Sequence, residues 1–137
     1  GERKESYIKG IGLFHFFIDF DGFVYQFANL NKWFYHSTCG HHDKYTIGIE
    51  LLNSSSTNNN YYTKKQYKSL FELIFDYLMM NYRNINRIVG HDYNGNIYSG
   101  IKKGCPGKGF DWTILEKEFK IRNINYKNFG FEAYERI

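Results

Sequence analysis

The sequence predicts a mixed α/β fold, and three observations carry that expectation. Short runs rich in aromatic and β-branched residues recur at 13–18, 23–27 and 45–52. An amphipathic stretch with helical spacing fills 64–81, and a further strand and helix follow at 87–90 and from 111 onward. At 137 residues there is room for one compact domain with a real core; 42% hydrophobic and 20% aromatic content, with one proline, speaks against a disordered or linker-like polypeptide.

Taken in order, residues 14–27 read as a β-hairpin, with Asp21-Gly22 as a two-residue turn between its strands. Residues 29–44 are polar and hold three of the five histidines, so these are expected on a loop before the strand at 45–52. The Ser/Asn run at 53–60 cannot bury surface and should form a loop. Thr63-Lys64-Lys65-Gln66 fits a capping box, and Tyr67, Leu70, Phe71, Ile74 and Leu78 recur at helical spacing, which predicts a helix over 64–81. Residues 87–90 should form a short strand ending at His91, followed by an irregular Gly-rich loop to 109. Asp111 is a good N-cap, with Phe110 and Leu115 placed for a hydrophobic staple and Ile114, Leu115 and Phe119 as the buried stripe of a second helix. The aromatic tail from 123 to 137 should pack back on the domain.

Lys plus Arg outnumber Asp plus Glu by 18 to 14, a surplus of +4 that favours anionic surfaces in general and identifies none. The basic residues are scattered, without a basic helix, finger spacing or aromatic RNA-binding signature, so no nucleic-acid partner is expected. Apolar stretches are too short or interrupted to span a bilayer and nothing resembles a signal peptide, which predicts a soluble monomer without membrane insertion. Cys39 and Cys105 allow one disulfide at most and assign no compartment. Gly1 is not an initiator methionine, so the chain is expected to be processed or part of something longer.

His91 at a strand end and Cys105 on the following loop are the sharpest chemical pair, since imidazole and thiolate both ligate zinc; a surface histidine and a buried free cysteine would look the same. Lys103, two residues before Cys105, could stabilise charge developing on a carbonyl oxygen, or simply be solvated. Glu50 interrupts an apolar strand, where a carboxylate is either a general base or a glutamate pointing to water. His36, Cys39, His41 and His42 cluster without standard zinc-finger spacing, and His15 in an aromatic strand reads as a satisfied core histidine.

Together these segments resemble the zinc-dependent N-acetylmuramoyl-L-alanine amidase and peptidoglycan-recognition family, which includes phage endolysin amidases. The hairpin Phe14-His15-Phe16-Phe17-Ile18-Asp19-Phe20-Asp21-Gly22-Phe23-Val24-Tyr25-Gln26 is similar to the family's, and Trp33-Phe34-Tyr35-His36 to its Trp-His loop. Ile47-Gly48-Ile49-Glu50-Leu51 resembles its Ile-Gly-Ile-Glu-Leu strand, Val89-Gly90-His91-Asp92 its Gly-His segment, and Lys103-Gly104-Cys105-Pro106-Gly107 with Phe110-Asp111-Trp112 its closing motif. The resemblance covers roughly residues 10–119 and leaves 123–137 as an aromatic-rich extension.

The resemblance implies a central mixed sheet flanked by helices, with a shallow cleft at the strand ends. It also implies that His91 and Cys105 bind Zn2+, that Glu50 activates water, that Lys103 stabilises the oxyanion, and that Trp33 and His36 contact substrate. The implied reaction is hydrolysis of the bond between N-acetylmuramic acid and L-alanine in peptidoglycan or muropeptides, at the bacterial cell wall. Two features depart from the pattern. The family's first metal ligand, a histidine on an initial strand, has no counterpart in residues 1–13, so that strand is expected to lie outside the chain, or His15 or His36 substitutes; Phe14 stands where some phage members carry tyrosine. The alternative function is a peptidoglycan-binding module of the same fold that does not cleave.

Overall fold

The computed structural model describes residues 14–30, 46–53, 61–94 and 104–137. Within them the class is the expected one, strands and helices packed around one core. β1 (Phe16–Ile18) pairs antiparallel with β2 (Val24–Gln26) and parallel with β3 (Ile49–Leu51), giving the sheet order β2-β1-β3. The strand expected over 45–52 is thus shorter, with Thr46, Ile47 and Gly48 leading into it.

The hairpin forms where predicted, but its turn is not the two-residue one. The Asp19 N–H bonds the Phe23 carbonyl, and the Gly22 N–H bonds the Asp19 carbonyl. The loop is therefore Phe20-Asp21-Gly22, closed by Gly22 at φ 83°, the arrangement in which a left-handed third residue restores the strand twist. The Asp19 carboxylate accepts the N–H groups of Asp21 and Phe23, both at 3.0 Å, which explains an aspartate at the strand end.

The long helix begins at its predicted cap. α1 (Lys64–Phe71) opens with Thr63 and Gln66 capping each other reciprocally. It continues as a π-helical stretch, Glu72–Leu78, and closes with the short α2 (Met79–Asn81). Helical spacing did not show the π segment. Its wider turn allows Leu73, Ile74 and Phe75 to be buried in succession, where an α-helix of regular period would turn one of them outward.

Beyond it come β4 (Arg87–Val89), α3 (His91–Asn94), α4 (Trp112–Ile121), β5 (Tyr126–Phe129) and β6 (Ala133–Arg136). Asp111 caps α4 by accepting from the Thr113 N–H, as its position predicts. The extension becomes structural here. β5 and β6 form an antiparallel hairpin, and β6 also pairs with β4, so the described strands divide into two three-stranded sheets rather than one central sheet. β6 pairs with β4 in the antiparallel register Val89↔Ala133.

One core joins these layers. Phe16 and Ile18 from β1, Leu70, Phe71, Leu73, Ile74, Phe75 and Leu78 from the long helix, Leu115 and Phe119 from α4, and Tyr134 from β6 all belong to it. Burial of each such side chain contributes about 1.5–3 kcal/mol. Among the described residues no helix is long and apolar enough to cross a membrane.

Candidate active site

His91 opens α3 directly after β4, and the Asp92 N–H beside it donates to the Cys105 carbonyl at 2.7 Å. Two residues fourteen positions apart in the chain are thereby set on adjoining backbone. Cys105 is a free thiol and exposed, which corrects the option of a buried cysteine. Gly90 leaves room for this approach. A β-carbon there would collide with the Asp92 carboxylate and stand 3.1 Å from the Pro106 ring.

The loop that carries Cys105 is held by Tyr62, just ahead of α1, and by Tyr67 within it. The Tyr62 hydroxyl donates to the Pro106 carbonyl at 2.8 Å, and the Tyr67 hydroxyl accepts the Asp111 N–H at 2.8 Å. Phe110 packs its ring on both tyrosines and on Trp112. Burial pushes the Tyr67 phenol above its usual range, so it stays a neutral hydroxyl here. Sequence reasoning assigned Tyr67 only to the helix stripe and passed over Tyr62. The pairing spans 44 positions, and no local pattern could have shown it.

Glu50 comes from a different element, the middle of β3, opposite Phe17 of β1. Its neighbours Ile49 and Leu51 pack on the core, so strand alternation turns Glu50 to the other face, half-buried. On that face Phe17 meets Phe14, Tyr25 and Phe27 in a layer of aromatic rings.

His15 is fully buried, and its ring Nδ1 accepts the Gly48 N–H at 3.1 Å, while the His15 backbone N–H donates to the Gly48 carbonyl at 2.9 Å. It is the satisfied core histidine expected. It fastens β1 to the lead of β3, and with Nδ1 so engaged only Nε2 could serve a metal. Lys103, Trp33, His36, Cys39, His41 and His42 lie outside the described residues.

The sequence matches the family model of N-acetylmuramoyl-L-alanine amidases over residues 2–108. The chain belongs to that family. No curated protein and no solved structure matches it. The matched span starts earlier than the resemblance at 10 and ends before Phe110-Asp111-Trp112, so α4 and the β5–β6 hairpin lie beyond it.

For an amidase-family chain the donor chemistry at His91 and Cys105 fits zinc, an imidazole beside an exposed thiol. Among the described residues no group of three His, Cys, Asp or Glu side chains gathers for a metal. Two carboxyls stand near this corner. Burial raises the Asp92 carboxyl above its ordinary value, and burial together with the Asp92 and Glu116 carboxylates raises that of Glu132.

Proposed function

We propose that this chain hydrolyses the amide between N-acetylmuramic acid and the L-alanine of the stem peptide in peptidoglycan. The reading is supported by family membership and, above all, by the Asp92 N–H to Cys105 carbonyl bond, which sets His91 and a free thiol on adjoining backbone. His91 and Cys105 would hold zinc with a third donor from outside the described residues. Zinc, when bound, supplies Lewis-acid polarisation of the scissile carbonyl and a nucleophilic water near neutral pH. Glu50 takes the proton of the attacking water and returns it to the departing amine, so that the amide C–N bond breaks without releasing an anionic nitrogen. Lys103 neutralises charge on the carbonyl oxygen as the tetrahedral centre forms. Trp33 and His36 contact the substrate.

A peptidoglycan-binding module of the same fold that does not cleave is the second reading, and family membership is compatible with it. Elemental analysis of the purified chain separates the two when paired with digestion of purified peptidoglycan. About one zinc per chain, lost in Cys105→Ser, together with release of stem peptides, is the result expected of the amidase. Zinc content unchanged in Cys105→Ser would remove Cys105 as a ligand. Binding to peptidoglycan with no release of peptide in the presence of zinc would establish the module instead.

A further inference from the structure

The β5–β6 hairpin ends beside the short helix that opens with His91. Its turn holds Phe131 at φ 60° and Glu132 at φ 58°, two consecutive residues with side chains in the left-handed region. Glycine or asparagine would sit there at lower cost, and a bulky aromatic is among the least suited. Such an outlier persists where the surroundings impose it, and it points to use of what the backbone displays.

What it displays is the Phe131 ring, 58% exposed and edge-on to the Tyr93 ring at 6.5 Å. Tyr93 is itself fixed, because Arg87 donates to its hydroxyl at 3.0 Å and lies over its ring and that of Phe129. α3 therefore touches the Cys105 loop through Asp92 and the hairpin turn through Tyr93. Among the described residues, a β-carbon on the neighbouring Gly130 would meet nothing within 4 Å.

We propose that Phe131 is a substrate platform at the rim of the candidate active site, its ring stacking on the apolar C–H face of a sugar of the glycan strand; the inference rests on the peptidoglycan reading above. Both turn residues lie beyond the matched family span, so membership does not assign them this role. An exposed, rigid aromatic serves a sugar ring well because its flat face covers apolar C–H groups with little entropy lost on binding.

The backbone strain makes the test decisive. Phe131→Asn and Phe131→Gly remove the ring and relieve the left-handed conformation together, so in the full, zinc-supplied chain the unfolding midpoint should stay or rise. Binding to purified peptidoglycan, and to glycan strands stripped of stem peptides, should weaken about five- to tenfold. KM for peptide release should rise by the same factor with kcat nearly unchanged, the signature of lost uniform binding. Phe131→Trp should retain near-wild-type affinity. Unchanged affinity in the Asn and Gly variants overturns the platform, as does a loss confined to substrates that carry stem peptides. A fall in unfolding midpoint that accounts for the lost binding makes Phe131 structural and also overturns it. A wild type that neither binds nor cleaves peptidoglycan overturns the functional reading itself, a failure distinct from the variants'.

Discussion

Gly22 carries two constraints at one position. Its φ of 83° suits glycine, and a β-carbon there would stand 2.7 Å from the Lys65 carbonyl and 2.8 Å from the Ser69 hydroxyl, because the hairpin turn is seated on α1. Gly22→Ala should therefore cost about 2 kcal/mol or more, the left-handed penalty with the displacement added. Urea unfolding reads this directly, and a loss below about 0.5 kcal/mol, within the range of inert surface changes, would contradict the seating. His15 offers a second residue-level case. His15→Leu keeps the bulk but leaves the buried Gly48 N–H without its acceptor, at an expected cost of about 1–3 kcal/mol. The Asp-Gly pair and the aromatic strand were legible in the sequence. That the turn spans three residues was not, because the register depends on backbone bonds from Asp19 and on contact with a helix some forty positions away.

The elements are fastened to one another by a few polar groups between apolar faces. Arg122 in the turn after α4 bonds Asp76 on the long helix and Glu118 on α4, and its guanidinium lies over the Phe75 ring. The Arg122 hydrogen bond holds the Asp76 carboxyl below its ordinary pKa of 3.8. A carboxyl depressed by folding stabilises the native state above its unfolded pKa and loses that contribution as pH falls through the folded one. Stability should thus decline with acid below about pH 4, more steeply in the wild type than in Asp76→Asn, as thermal melts at pH 2–6 would show. Equal slopes would mean that the pair is screened by water and contributes nothing. On the site side, Tyr62→Phe keeps the ring on Phe110 and Tyr67 but loses the bond to the Pro106 carbonyl, and should cost about 1 kcal/mol. The helix, its capping box and the Asp111 cap could all be read from the sequence, since each rests on contacts within four residues. The π-helical stretch could not, because the apolar spacing along 64–81 suits a regular helix as well.

At the scale of the molecule, the C-terminal hairpin is the part that sequence motifs described least. Its aromatics announced burial, and Tyr134 is indeed almost wholly enclosed, stacked on Trp112 and bonded to Glu116 at 3.2 Å. That β6 would become the partner of β4, the strand leading to His91, depends on pairing over more than forty positions and leaves no local trace. The candidate site divides in the same way. Residue types at Glu50, His91 and Cys105 were legible one by one, while the backbone bond that joins the last two, and the tyrosines beneath them, emerged only from the fold. In the proposed function Glu50 acts as a base rather than as a strand-face carboxylate. The most direct test compares wild type and Glu50→Gln for release of stem peptides from purified peptidoglycan, in the longest active form of the chain and with zinc present. Stability should be nearly unchanged while the rate falls by about two to four orders of magnitude, the contribution of a positioned general base. A Glu50→Gln enzyme that folds and keeps more than about a tenth of the wild-type rate would contradict that role.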